Sequence, residues 1–212
     1  MVFKRRDRKP IWRALLEFLW PRGGWARAFQ YVQYRLRRLP DSPERIARGV
    51  WAGVFTTFTP FYGFHFICAG LIALVMRGNV LAALMATFFG NPLTYVPIGI
   101  AALRTGYGLL GLDFDPERNG KIGEQFGRAF LALWHNFTTI FTGDPAQWLY
   151  LQEFYQRIFF PYLIGGIIPG VIVATLAYYL SVPVIRAYQH RRKGALKAKL
   201  EALKVKASRA RE

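Results

Sequence analysis

The sequence has one cysteine, Cys68, in 212 residues. A disulfide-stapled scaffold is therefore excluded, and Cys68 reads as a small core residue. Acidic residues are scarce: 12 Asp and Glu stand against 29 Lys and Arg, a formal net charge of +17. All charged residues together make 19% of the chain, against roughly 25% in a soluble domain. Catalytic signatures are missing as well. There is no Gly-rich phosphate loop, no G-x-S-x-G elbow and no H-E-x-x-H pair. The histidines, His65, His135 and His190, are isolated. No paired carboxylates, no metal-ligand set and no cofactor motif can be assembled, so neither an enzyme nor a cofactor is expected. What the chain does have is apolar bulk, 53% of its residues, which excludes a disordered polymer.

The charges are segregated. Residues 1–48 carry 13 Lys and Arg, residues 186–212 carry 10, and residues 113–157 carry only 4 beside 6 acidic groups. Between these blocks lie three stretches free of Asp, Glu, Lys and Arg: Gly49–Met76, Gly78–Leu103 and Ile158–Ile185. A bilayer core of ~30 Å takes about 20 apolar residues as helix, so each stretch is long enough to enter a membrane. Lys and Arg accumulate on the cytoplasmic flank of spans. Both termini are therefore expected in the cytoplasm, with 113–157 on the far side. The basic excess flanks apolar runs rather than decorating a soluble face, so no nucleic-acid partner is expected. The expected contacts are the bilayer and, at the two basic ends, anionic lipid headgroups; a homo-oligomer stays open. No cleavable signal is expected, because Ile11–Trp20 contains Arg13 and Glu17 and ends at proline.

Residues 1–42 read as a basic amphipathic segment. Trp12, Leu15, Leu16 and Leu19 form one apolar stripe, and Trp25, Phe29, Val32, Leu36 and Leu39 form another. Such helices lie in the membrane interface or pack on the protein's own cytoplasmic surface. A capping residue followed by proline then recurs, at Ser42-Pro43, Thr59-Pro60, Asn91-Pro92, Asp115-Pro116 and Asp144-Pro145. The side chain caps first-turn amides, and proline suits the first helical position. Helix starts are expected at Pro43, Pro92, Pro116 and Pro145, with a helix or only a turn at Pro60.

The membrane domain, 43–185, is expected to be broken. The apolar part of its first helix, Gly49–Thr59, has 11 residues, about 16 Å or half a bilayer. Pro60 and Gly63 interrupt it, Phe66–Met76 forms a second half, and Gly90, Asn91 and Pro92 interrupt the third after Val80. Broken backbone at membrane depth is tolerated only when buried in protein or lining a wet cavity. A faint repeat sets Arg48-Gly49 against Arg77-Gly78. Interrupted segments in two halves point to a transporter-type site, although chance accounts equally well for the similarity. If both half-helix pairs return to the cytoplasm, the last span would export the basic tail. One pair must therefore re-enter while the other crosses, or Ala129–Gly143 must also cross. Ile158–Ile185 is the C-terminal span, with Gly166 and Gly170 as a close-contact face and a kink expected at Pro169. Gly49 and Gly53 form a second such face. Residues 186–212 are a basic cytoplasmic tail.

The candidate ligand-binding set is His65, Arg77, Asn91, Thr94 and Arg104. The helix after Asn91 would point first-turn amides at the break, an arrangement that favours an anion. Arg77 and Arg104 are the only formal charges between 49 and 112, and intramembrane charge is a functional signal by default. The structural reading of each stands beside this: Arg77 in a surface loop, Arg104 snorkelling, Asn91 only a cap.

Gly53-Val-Phe-Thr-Thr-Phe-Thr-Pro60-Phe-Tyr-Gly63, Arg77-Gly-Asn79 and Gly90-Asn-Pro-Leu-Thr94 together resemble a bacterial family of small integral membrane proteins catalogued as a domain of unknown function. The likeness covers roughly residues 40–185. It implies a bacterial inner-membrane location and, through relatives fused to glycosyltransferase-like domains, work on envelope polysaccharide or carrier lipid. It carries no active site to any residue here. The expectation is an all-α integral membrane protein with short broken or re-entrant helices, a C-terminal span and N-terminal amphipathic helices. Its leading function is translocation of a small anion or phosphate-bearing lipid. The alternative is a scaffold that recruits partners through its basic ends.

Overall fold

The computed structural model describes residues 41–115, 121–143 and 145–209, together with Arg27, Gln30, Tyr34 and Leu39. Apart from those four residues, the N-terminal amphipathic pair lies outside the described residues, as does the helix start at Pro116. Within them every regular element is helical. In chain order they are α1 (Pro43–Thr56), α2 (His65–Val75), α3 (Val80–Ala86) with a 3-10 turn (Thr87–Phe89), α4 (Pro92–Leu109), α5 (Ile122–Thr142), α6 (Leu149–Phe154) and α7 (Phe160–Arg209).

The capping pairs mark two starts correctly. The Ser42 hydroxyl accepts from the Arg45 amide at 3.3 Å, with Pro43 in the first turn. Asn91 does the same for α4. The start expected at Pro145 is not there: residues 145–148 are not helical and α6 begins at Leu149. The cause is Asn136 on α5. Its side-chain oxygen accepts from the Gln147 amide at 2.8 Å, and its side-chain nitrogen donates to the Gln147 carbonyl at 3.2 Å. Both main-chain groups of Gln147 are thereby withdrawn from any helix. Pro60 opens only a turn, since the next helix waits until His65.

α1 and α2 form a hairpin that returns to its own start. The Asn79 amide donates to the Arg45 carbonyl at 2.9 Å, and the Arg48 guanidinium donates to the Arg77 carbonyl at 3.0 Å. α2 ends in a Schellman turn, with Gly78 N–H on the Ala73 carbonyl and Arg77 N–H on the Leu74 carbonyl. The left-handed residue in it is Arg77, at φ 51°, rather than the glycine that follows. Gly78 is needed where it stands, because a Cβ there would lie 2.9 Å from the Gly49 nitrogen. The two Arg-Gly pairs of the faint repeat therefore meet face to face.

α3 runs beside α1 along the Gly49 and Gly53 face. A Cβ on Gly49 would run into the Asn79 carbonyl, and one on Gly53 into the Ala83 carbonyl. α7 lies antiparallel to α1 and is stitched to it along its length. Trp51 donates to the Thr175 hydroxyl at 3.1 Å, Arg186 pairs with Glu44, and Gln189 donates to the Asp41 carbonyl at 2.8 Å. The first-turn main chain and then Arg186 hold the Glu44 carboxyl below its usual range. α7 continues through Pro169 and Pro183, and crosses the boundary at 185 unbroken. The run Leu149–Ala195 is long and apolar enough to cross a membrane. α3 with its 3-10 turn and α4 pass that test only as a pair, bent by 86° at the break. The hairpin α1–α2 thus turns back to its own start, and the bend between α3 and α4 is that of a broken span or a re-entrant loop.

The glycine contacts generate a test. Gly53→Val should cost about 3 kcal/mol or more, since its branches meet fixed backbone rather than a movable side chain. Gly127→Ala, with nothing within 4 Å of its Cβ position on the exposed side of α5, should gain roughly 0.5–1 kcal/mol. Thermal unfolding in one detergent reads both; comparable effects from the two would refute close α1–α3 contact.

Candidate functional site

The two interruptions meet at one buried junction. α1 stops because Pro60 has no N–H with which to extend the ladder, and the chain satisfies the freed carbonyls itself. The amides of Thr57, Phe58 and Thr59 tighten to i−3 bonds. The hydroxyls of Thr56, Thr57 and Thr59 donate to the Ala52, Val54 and Thr56 carbonyls, each at 2.7 Å. Thr56 and Thr57 are fully buried. This is the internal satisfaction that broken backbone needs away from water.

His65 opens α2 at this junction and is itself buried. Its Nε2 lies 3.2 Å from the Thr59 carbonyl, and its Nδ1 lies 3.0 Å from the Tyr95 hydroxyl. A carbonyl only accepts, so Nε2 carries the proton; in the neutral ring Nδ1 then accepts from Tyr95. The Tyr95 ring stacks on the imidazole at 5.8 Å, and the Tyr62 ring stands edge-on to it at 5.4 Å. The Tyr62 hydroxyl shares a hydrogen bond of 2.8 Å with Tyr162, which is fully buried on α7. Phe126 of α5 closes over Tyr62 at 4.6 Å. The junction joins α1, α2, α4, α5 and α7 through a chain of phenols around one imidazole.

Gly90 and Asn91 serve this arrangement. A Cβ at Gly90 would lie 2.7 Å from the Tyr95 hydroxyl, so the glycine makes room for the partner of His65. Asn91 and Thr94 form a reciprocal capping box. The Asn91 side-chain oxygen accepts from Leu93 N–H at 3.0 Å and Thr94 N–H at 3.2 Å, and the Tyr95 amide donates to the Asn91 carbonyl. The Thr94 hydroxyl donates to the Phe89 carbonyl at 2.6 Å. Every first-turn N–H of α4 is therefore engaged within the chain.

The five sequence candidates divide accordingly. His65, Asn91 and Thr94 gather at the junction. The Arg77 side chain is exposed at the opposite end of α2, and Arg104 is exposed near the C-terminal end of α4. Of the breaks, Pro60, Gly63, Gly90 and Pro92 flank the junction; Pro169 lies within α7. Sequence reasoning passed over Tyr62, Tyr95 and Tyr162. Their signal was present: each is a polar-tipped aromatic inside a charge-free run, and such tips need partners when buried.

With this geometry in hand, comparison with known proteins gives one match. Residues 26–194 match a bacterial family described as an uncharacterized protein conserved in bacteria, DUF2062, and the chain belongs to that family. No curated protein and no solved structure matches it.

His65→Leu orphans the Thr59 carbonyl and the Tyr95 hydroxyl together and should cost about 2 kcal/mol or more. Tyr95→Phe removes one bond and should cost about 1 kcal/mol; Asn91→Ala should cost about 1 kcal/mol as a lost cap. Thermal unfolding in detergent checks the ranking. A His65→Leu variant as stable as the parent would dissolve the junction described above.

Proposed function

We propose that this member of the DUF2062 family is an integral protein of the bacterial inner membrane that translocates a small anion or a phosphate-bearing lipid. The observation that carries the reading is the burial of the junction. Two helices stop inside charge-free runs, and their broken backbone is held within protein around a histidine, an arrangement used at membrane depth where a polar path is needed. In this reading α1–α2 is a re-entrant hairpin from the cytoplasm. α3–α4 is one broken crossing, α7 returns to the cytoplasm, and 113–157 faces outward. This topology agrees with the basic ends and with the near-neutral charge of the outward segment.

Because the first-turn amides of α4 are engaged by Asn91, the polar group that moves is not held at that helix terminus. His65, the ionisable group of the junction, held by the Thr59 carbonyl and the Tyr95 hydroxyl, is the residue assigned to the path. A second reading, a scaffold recruiting partners through its basic ends, draws on α7, which extends as helix from the apolar run to Arg209 past exposed Arg191, Arg192 and Lys193.

Topology is tested with single cysteines in a Cys68→Ala background. An impermeant maleimide should label Gly123→Cys in intact spheroplasts, and Lys193→Cys only after permeabilisation; labelling of 193 in intact spheroplasts would overturn the orientation. Function is tested in proteoliposomes holding a fluorescent phospholipid in both leaflets. Added dithionite should quench well beyond the outer-leaflet half with the parent protein, and no more than that half with His65→Phe. Quenching confined to half with the parent protein would overturn lipid movement, and an equally unchanged phosphate efflux from loaded proteoliposomes would move the assignment to the scaffold.

A further inference from the structure

A second polar place lies beyond the junction, where α4, α5 and α6 converge. It is a cavity of about 900 Å³ floored by Tyr107, Leu112 and Ile158, within the size range of small-molecule sites. One wall has an unusual cause. Pro161 has no N–H to donate to the Arg157 carbonyl four residues earlier, and the chain widens into a π-helical turn at Tyr155–Phe159. The Tyr107 hydroxyl supplies the missing donor, bonding the Arg157 carbonyl at 2.7 Å. The wide turn and the last turn of α6 thus present Glu153 and Arg157 to the cavity, opposite Asp113, Lys121, Glu124 and Arg128. Glu124 and Arg128 pair with each other. Among the described residues no ion pair within 4 Å engages Asp113, Lys121, Glu153 or Arg157. Cations and carboxylates therefore stand open side by side in one concavity.

α5 joins this cavity to an apolar ridge. Its first turns carry Glu124 and Arg128. Further along the same helix Phe130, Trp134, Phe137 and Phe141 recur every three or four residues, all exposed. A helix that is charged at one end and presents an aromatic stripe over the rest suits a molecule with a charged head and an apolar tail. The two signs of charge define that head. A phosphate answers Arg157 and Lys121, and a primary amine answers Glu153 and Asp113. We infer that the cavity bounded by the π-helical turn is a headgroup site for an amine-bearing phospholipid, whose acyl chains lie along the α5 aromatic ridge. This rests on the membrane reading above but not on translocation: the site binds whether or not the lipid is moved.

The test is thermal unfolding of the full chain in uncharged detergent. The probes are short-chain phosphatidylethanolamine, phosphatidylglycerol of the same chain length, and inorganic phosphate. Phosphatidylethanolamine should raise the melting temperature most, phosphatidylglycerol less, and inorganic phosphate not at all. Glu153→Gln should weaken phosphatidylethanolamine binding roughly tenfold, the loss of one charge-assisted hydrogen bond, and leave phosphatidylglycerol binding unchanged. Arg157→Gln should weaken both. Glu153 and Arg157 are exposed, so each variant should melt like the parent without lipid, which the same measurement checks. Equal responses of the parent protein to the two lipids, or no effect of Glu153→Gln, would overturn the amine assignment. A shift produced by inorganic phosphate alone would make the site one for free phosphate and overturn the lipid. Binding intact with no dithionite-detected movement would sink translocation and leave the headgroup site standing.

Discussion

The fold depends on letting backbones touch. At the crossing of α7 with α4 and the end of α1, a Cβ on Gly165 would strike the Ala102 carbonyl, one on Gly166 the Phe58 carbonyl, and one on Gly106 the Pro161 carbonyl. No side chain of any size fits between these elements. Contact this close extracts dispersion energy over long stretches of helix. Much else is registered to it. The Phe58 carbonyl held against Gly166 fixes the turn in which Thr59 aims its own carbonyl at His65. The Pro161 carbonyl held against Gly106 fixes the residue that opens the π-helical turn, and brings Tyr107 within reach of Arg157. Junction and cavity are thus positioned from the same crossing.

The second constraint is polar. A chain that stops helices inside apolar surroundings must dispose of every freed N–H and C=O. Here short side chains do most of that work: three threonines at the end of α1, Asn91 and Thr94 at the start of α4, Asn79 at the start of α3, where its oxygen accepts from the Ala82 amide at 2.8 Å. Histidine and tyrosine take what remains. An Asn cap that engages the amides it faces leaves none for a ligand, so a capping residue at a break and an anion site there exclude each other. The charged groups able to meet a phosphate stand instead around the cavity at the far end of α4.

Local signals in the chain were readable wherever the physics is local. Proline after a capping residue marked the starts of α1 and α4, because capping and the missing N–H act within one turn. The interruptions at Pro60–Gly63 and Gly90–Pro92, the small-residue faces of α1 and α7, and the helical character of 122–142 were legible for the same reason. Asp144-Pro145 carried the same signal and failed, because Asn136, on the preceding helix and beyond one turn's reach, engages the main chain of Gln147. His65 stood out as an ionisable group between two apolar runs, yet nothing near it in sequence named Tyr95 or Tyr162 as its company.

What the sequence by itself determined is therefore composition by segment: where charge is absent, where helices must stop, and which faces are small enough for close approach. Each follows from properties of single residues or of neighbours within a turn. The tertiary structure alone decided that α1–α2 turns back to its own start and that α3 and α4 meet at an 86° bend. It decided that one histidine gathers phenols from two helices and from the turn between α1 and α2, and that Arg77 and Arg104 stay outside that gathering. It also set Asp113, Lys121, Glu124, Arg128, Glu153 and Arg157 around one cavity, with a π-helical turn as its wall. Those outcomes depend on how rigid helices dock, and docking is fixed by contacts between residues more than a hundred positions apart, as with Trp51 and Thr175, 124 residues apart along the chain.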